Sequence, residues 1–311
     1  MTGRVAILGI FVADLAFRAG RLPAVGETIT GSGFKMGPGG KGSNQAVATA
    51  RLGARVAIIS KIGRDEFGRQ ALATWMQEGI VAAVSESESD PTGAAFIYVD
   101  EKTGDNAIIV VPGAAATIGP ADVEAAAHHI TDADVFVTQL EQPLAAARRG
   151  LEIARAAGVT TIFNPAPAGW VELEIYRLCD YVTPNETEAA QLTGIAVQTI
   201  DDARRAGDAF LAMGAGAALI TLGEKGALLH TGRASIIVPA FHAGPVVETA
   251  GAGDAFNGSF AVALSRGLDP VEATRFACAA AAISVTRPGT APSMPSLKEV
   301  ERLLQVSSSS R

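Results

Sequence analysis

Short, almost wholly apolar segments separated by helix-length stretches are the strongest constraint this chain places on its fold. The apolar segments are Val5–Leu8, Val56–Ser60, Val135–Gln139, Thr160–Phe163, Tyr181–Thr183 and Ala217–Thr221. Between them lie Gly42–Leu52, Glu66–Gln77, Leu144–Ala157, Thr187–Leu192 and Asp202–Met213, with helical patterning. A strand that is apolar at every position must be covered on both faces, and strand–helix alternation supplies that cover through right-handed crossovers. The pattern predicts an α/β protein: a mainly parallel sheet sandwiched between two helical layers.

Two regions break the rhythm. Glu27–Phe34 alternates in polarity, and Ala94–Asp100 and Asn106–Val111 flank the turn-rich Glu101-Lys102-Thr103-Gly104. With no crossover helix between them, these segments predict a small separate β-sheet, a lid with strands at about 10–36 and 92–112. The body is expected to be one domain over residues 1–306, ending in a frayed polar tail at 307–311. Toward the C-terminus, Gly253–Arg266 and Pro270–Arg287 read as Ala-rich helices that can pack closely.

Composition narrows the function. The chain has 25 Lys+Arg against 32 Asp+Glu over 311 residues, and no basic run, which argues against a nucleic-acid partner. No apolar run approaches the ~20 residues of a membrane-spanning helix, so no membrane partner is expected. Two cysteines, Cys179 and Cys278, build neither a disulfide framework nor a thiolate zinc site, and a reducing cytoplasm is expected.

Four motifs carry chemistry. In Gly37-Pro38-Gly39-Gly40-Lys41-Gly42-Ser43-Asn44-Gln45 the glycines satisfy G-x-G-x-x-G. The following strand lacks the acidic terminus of a dinucleotide fold, and Lys41 is followed by Gly rather than the Ser or Thr of a Walker A loop. A Gly-rich turn remains, delivering Lys41, Ser43 and Asn44 to a helix start, which suits a polyhydroxylated or anionic ligand.

Glu248-Thr249-Ala250-Gly251-Ala252-Gly253-Asp254 turns tightly into a helix whose first N–H groups are unpaired. A phosphoryl group would be stabilised there, and Asp254 stands beside it as a base for a hydroxyl nucleophile or, more simply, as a cap. Thr221-Leu222-Gly223-Glu224-Lys225-Gly226 is a strand-end turn that could line a nucleotide or merely open a hairpin. Asn185 and Glu188 in Thr183-Pro184-Asn185-Glu186-Thr187-Glu188 share a first helical turn, placed either to hold phosphate and Mg²⁺-bound water or to cap the helix. Asp14 and Glu141 add carboxylates near strand ends.

In this order the motifs resemble the ribokinase-like, or phosphofructokinase-B, family of carbohydrate kinases, most closely its ribokinase branch. Gly63-Arg64-Asp65-Glu66-Phe67-Gly68, Asn164-Pro165-Ala166-Pro167-Ala168 and Ala281-Ala282-Ile283-Ser284-Val285-Thr286-Arg287-Pro288-Gly289 extend the similarity over nearly the whole chain. The resemblance implies ATP-dependent phosphorylation of a sugar hydroxyl, D-ribose to D-ribose 5-phosphate or a related pentose or hexose. A nucleoside kinase of the same fold and a non-catalytic sugar-binding regulator are the alternatives.

It implies Asp254 as base and Gly251, Ala252 and Gly253 as anion hole. It implies Val12, Asp14, Gly40, Lys41, Gly42, Ser43, Asn44 and Glu141 around the sugar. Asn185, Thr221 to Gly226, Gly253 and Cys278 would line ATP, with Glu188 near Mg²⁺. Glu248, Ala250, Ser284, Arg287, Gly289 and Ser293 would frame a monovalent cation, K⁺, several through backbone carbonyls. The lid would also form a homodimer contact. Three positions depart from the pattern: Val12 stands where ribokinases carry Asn, Glu248 where the family has Asp, and Cys278 where a polar residue is frequent near adenine.

Overall fold

The computed structural model describes residues 2–309. Its larger sheet has nine strands in the order β13-β12-β11-β10-β9-β8-β1-β4-β5. In chain order these are β1 (Arg4–Leu8), β4 (Arg55–Gly63), β5 (Val81–Ser87), β8 (Val135–Thr138), β9 (Thr160–Phe163), β10 (Tyr181–Val182), β11 (Ala217–Thr221), β12 (Ala227–Thr231) and β13 (Ser235–Val238). From β5 to β11 neighbours run parallel, and the β11–β12 and β12–β13 hairpins close that edge antiparallel.

The helices are α1 (Lys41–Arg51), α2 (Glu66–Gln77), α3 (Pro120–Ala125), α4 (Ala127–Thr131), α5 (Leu144–Ala156), α6 (Leu173–Tyr176), α7 (Glu186–Thr193), α8 (Ile200–Met213), α9 (Ala252–Ser265), α10 (Pro270–Ser284) and α11 (Leu297–Ser309). Alternation along β1 shows why the strands are apolar throughout. Val5 and Ile7 join one core with residues of α1, α2, α9 and α10, whereas Ala6 and Leu8 join a second core with residues of α3 to α8. The result is the α/β/α sandwich that the sequence predicts.

A separate four-stranded sheet has the order β3-β2-β6-β7, from β2 (Val12–Ala19), β3 (Gly33–Gly39), β6 (Thr92–Asp100) and β7 (Asn106–Gly113). Its strands differ from the expected ones at one end. Most of Glu27–Phe34 is loop, because Glu27 turns back to pair with Arg21 and to accept from the Ala24 N–H at 2.9 Å. The strand lies earlier instead, over Val12–Ala19, where Asp14 masks the apolar run. At the C-terminus α11 continues to Ser309, so residues 307–309 of the expected tail are helical; 310 and 311 lie outside the described residues.

Candidate active site

The carboxyl ends of the parallel strands face the small sheet, and the chemistry-bearing side chains gather there. The turn from β3 into α1 is forced by glycine. Gly40 has φ +89°, and a Cβ on it would stand 2.5 Å from the Ile10 carbonyl oxygen. Gly40 gives α1 no side-chain cap. Glu141, 100 residues away beyond β8, supplies one by accepting from the Lys41 backbone N–H at 2.7 Å. Lys41, Asn44 and Gln45 then share one helix face by their i, i+3, i+4 spacing.

That face meets the first turn of α9. Gly251, at φ +81°, caps the helix in the left-handed region. Asp254 follows at the third helical position and is only 5% exposed. Both of its oxygens are held: Asn44 Nδ2 donates to Oδ2 at 3.0 Å and Gln45 Nε2 donates to Oδ1 at 3.1 Å. Burial raises its pKa, opposed by the Lys41 ammonium and the two amides.

Two further carboxylates, Glu141 and Glu188, surround the same lysine, and Asp14 stands near Asp254 and Glu248. Burial, reinforced by Asp254 and Glu248, lifts Asp14 to about 6. Burial lifts Glu141 to about 7 against the pull of Lys41. Glu188 is raised by burial too, against the Asn185 N–H and Lys41. Burial alone would lower the Lys41 pKa, but Asp254, Glu141 and Glu188 together raise it, so the ammonium stays charged. The Lys41 ammonium offsets part of the negative charge of these carboxylates and lines the cavity beside them.

A cavity of about 190 Å³ joins these groups. It is lined by Lys41, Asn164, Ala166, Thr183, Asn185, Glu188, Thr221, Thr249, Gly251, Gly253, Asp254 and Asn257. A wider hollow of about 530 Å³ lies at the opposite edge of the sheet, by Thr160 and Tyr181 at the starts of β9 and β10. Its charged residues, Arg155 and Asp180, pair with each other. The smaller cavity is the one bordered by the buried Asp254 carboxylate and by the first turn of α9.

The remaining sequence-predicted residues fall into place unevenly. Asn185 and Glu188 form a reciprocal capping box, the plainer of the two expected roles, while both still line the cavity. A parallel bridge between Asn185 and Thr221 sets the α7 start beside the end of β11. Leu222 to Gly226 form the turn of the β11–β12 hairpin, and Lys225 Nζ is spent on the Gln198 carbonyl at 3.1 Å. Gly42 is buried at the second position of α1. Ser43 points away from the cavity: its Oγ accepts from the Trp75 indole N–H at 3.0 Å. The Ala252 N–H turns back to the Thr249 carbonyl at 3.2 Å, leaving the donors that follow it in the first turn of α9 to face the cavity. Cys278 is buried in the core on α10 and is not among the cavity-lining residues.

The structure also brings in residues to which the motifs assigned no role, although Gln45, Asn164 and Thr183 lie inside them. Gln45, Gln139, Asn164, Thr183 and Asn257 form a buried polar chain around Asp254. Their signal in the sequence was weak: an isolated amide at a strand end reads as loop polarity until the fold buries it.

On the small sheet, Val12, Asp14 and Ala95 share one face, and Asp14 is near enough to Asp254 to feel its charge. Asp14 pairs with Ala95, and Val12 packs with Ile10, Ala95 and Ala115. The other face carries Phe17, Phe34 and Phe96, with Phe17 ring centroids 4.9 Å from Phe34 and 5.7 Å from Phe96. Phe34 is 60% exposed there.

A family pattern described as pfkB family carbohydrate kinase matches residues 2–297. The chain belongs to the pfkB family of carbohydrate kinases. Among pfkB-family relatives it is 39% identical over 306 residues to a ribokinase of Haemophilus influenzae, covering 98% of this chain and 99% of that one. It is 35% identical over 304 residues to a deoxyribokinase of Salmonella typhi, covering 97% of this chain and 99% of that one. It superimposes on an Arabidopsis thaliana ribokinase complexed with ribose and ATP at TM-score 0.90 and 31% identity, covering 98% of this chain and 99% of that one. The pfkB kinase fold accounts for both sheets, and membership makes the protein a sugar kinase that transfers phosphate to a hydroxyl.

Proposed function

We propose that the protein is an ATP-dependent ribokinase, converting D-ribose to D-ribose 5-phosphate, with closely related sugars as secondary substrates. The observation that carries the reading is Asp254: a buried carboxylate in the first turn of α9, aimed by Asn44 and Gln45 beside the Lys41 ammonium. A sugar hydroxyl attacks the γ-phosphorus of Mg·ATP, its proton passes to Asp254, and ADP leaves. The α9 N–H donors of Gly253 and Asp254, with the Gly251 turn, meet the charge on the transferring phosphoryl group, and Lys41 neutralises it. The names of the relatives, ribokinase and deoxyribokinase, support a pentose.

In this reading Asp14, Asn44, Glu141 and the Gly40–Gly42 backbone hold the sugar hydroxyls. Asn44 Oδ1 is buried with no hydrogen-bond partner among the described residues, as an acceptor meant for a ligand hydroxyl would be. Asn185, the Thr221–Gly226 turn and Gly253 hold ATP, and Glu188 faces the magnesium-bound phosphates. Cys278 contributes only apolar packing behind them.

In this reading a monovalent cation would sit in the loops beside Gly251. The Val247 and Glu248 N–H groups donate to the Val285 carbonyl, Glu248 accepts from the Gly289 N–H at 2.8 Å, and the Ser284 and Ser293 hydroxyls donate to the Ala281 and Thr290 carbonyls. The backbone carbonyls of Ala250, Arg287 and Gly289 would be its oxygen donors, hard in character and suited to K⁺ rather than a transition metal. When bound, the ion would steady the turn that forms the anion hole. No cluster of His, Cys, Asp and Glu among the described residues competes for a metal.

The aromatic outer face of the small sheet suits a homodimer contact. Cys179 and Cys278 are both free and buried, in keeping with a reducing cytoplasm, and among the described residues no helix is long and apolar enough to cross a membrane.

The test is ADP release with ribose, 2-deoxyribose, hexoses and nucleosides, by the wild type and by Asp254→Asn. Transfer to a free pentose, with kcat lowered by about 10²–10⁴-fold in the variant, is expected. Near-normal turnover by Asp254→Asn, or transfer to nucleosides alone, or none at all, overturns the reading.

A further inference from the structure

Asp254 is the end of a chain of buried amides whose orientations are all forced. Asn164 Nδ2 donates to the Thr183 backbone carbonyl at 2.8 Å, and a carbonyl can only accept. Asn164 therefore turns Oδ1 to Gln45, and Gln45 must present Nε2 to it, at 3.1 Å. The same Nε2 reaches Asp254 Oδ1 at 3.1 Å, also an obligate acceptor once ionised. Gln45 Oε1 is then left facing Gln139, which supplies the matching donor through Nε2 at 2.6 Å. Both glutamines are 0% exposed. Gln139 Oε1 has no hydrogen-bond partner among the described residues, so the one bond its side chain makes is the one that holds Gln45. It reaches Gln45 across bare backbone, since a Cβ on Gly9 would stand 2.4 Å from Gln139 Oε1.

We propose that Gln45, locked by Gln139, is a positioning residue for the base: it fixes the Asp254 carboxylate rotation by donating to one oxygen in a single amide orientation. This rests on the reading of Asp254 as the proton acceptor. A flipped Gln45 would turn a carbonyl oxygen toward the carboxylate and repel it, and the Gln139 donor is what makes that flip costly. Buried amides serving packing alone would carry no such directional chain.

A hydrogen bond donated to an ionised carboxylate favours ionisation, so losing it moves the acid limb of the kcat–pH profile to higher pH. The other charged groups facing Asp254 are Lys41 from α1, Asp14 from β2, Glu141 from the β8 end and Glu188 from α7. None is altered by the substitutions below.

The experiment measures kcat, KM for ATP, the kcat–pH profile and the melting temperature for Gln45→Met, Gln139→Met and Asp254→Asn. Expected for Gln45→Met are a kcat lowered about 10–100-fold, KM for ATP within about twofold, and an acid limb raised by about half a pH unit or more. Gln139→Met should move both in the same direction by less, and it decides the matter alone if Gln45→Met does not fold. A lower melting temperature with wild-type kcat and acid limb in whichever variant folds would overturn the proposal. Asp254→Asn separates the two ideas: if it abolishes transfer while the glutamine variants leave the acid limb in place, only the positioning role fails. If it turns over normally, the base assignment fails first.

Discussion

The Lys41 backbone N–H donates to Glu141 Oε2 at 2.7 Å, so the carboxylate that starts α1 is the same one that crowds the lysine ammonium. The arrangement costs stability in the unliganded protein. Glu141 is raised from 4.5 to about 7 and Asp14 from 3.8 to about 6, mainly by burial. A carboxyl with a raised folded-state pKa binds more protons folded than unfolded, so stability falls as pH rises through the window between the two values. For this pair the loss runs from about pH 4 to about pH 7. Thermal melts of the ligand-free protein should show Glu141→Gln and Asp14→Asn gaining melting temperature over the wild type at pH 8 and losing that advantage at pH 4. Equal gains at both pH values would show that burial of these charges is not the cause.

Lys41 is expected to matter to the reaction more than to the fold. Its ammonium lines the cavity with Asp254, Glu188 and Thr221. Its contact with Glu141 uses the backbone and survives side-chain truncation. Lys41→Met should lower kcat by about 10²-fold or more, the range seen when a preorganised charge at a transferring phosphoryl group is removed. The melting temperature should fall modestly at neutral pH, since Asp254, Glu141 and Glu188 lose their counter-charge, and should approach that of the wild type at low pH as those carboxyls protonate. A stopped assay for ADP beside a melt reads both quantities, and a large stability loss with normal turnover would contradict the assignment.

The sandwich was legible because doubly covered strands have to be apolar at every position. Val5 and Ile7 face one core and Ala6 and Leu8 the other, as a sheet covered on both faces requires. β2 was harder to see, since Asp14 sits in it and breaks the alternation that marks a half-buried strand. Lys41, Asn44, Asp254, Asn185 and Glu188 each stand near a helix start, but that they share one site was implied by the resemblance of the motifs to a family and not by any motif alone. Ser43 could not be sorted from its neighbours by sequence, because whether an α1 residue faces Asp254 or Trp75 depends on a rotation that only packing sets. Gln139 carried no local signal at all. Its role depends on Gln45, 94 residues earlier.

The outer face of the small sheet yields a prediction about assembly. Phe17 packs against both Phe34 and Phe96, yet Phe17, Phe34 and Phe96 remain 42%, 60% and 38% exposed, and Ile109 on the same sheet is 64% exposed. Burying such a patch between two copies would stabilise by about 25 cal/mol per Å² of apolar surface removed from water. Phe34→Asp should convert a dimer to a monomer in sedimentation or size-exclusion with light scattering, and the separated chains should keep Asp254-dependent transfer with weakened sugar binding. A wild type that is already monomeric at tens of micromolar would remove the basis for this contact.

Val12 gives the last prediction, on sugar discrimination. It is buried at 4% exposure two residues before Asp14, in an apolar cluster with Ile10, Ala95 and Ala115. A sugar hydroxyl brought against that cluster finds no partner, so the site gains little from having a hydroxyl at that position of the ring. Discrimination between ribose and its 2-deoxy analogue should accordingly be weak in the wild type. Val12→Asn supplies a donor and an acceptor beside Asp14, and an unsatisfied buried amide costs about 1–3 kcal/mol, so the variant should favour the sugar that satisfies it. The ratio of kcat/KM values for ribose over 2-deoxyribose should rise about tenfold, with KM for ATP unchanged. An unchanged ratio would place Val12 away from the sugar and assign discrimination to Asp14 and Asn44.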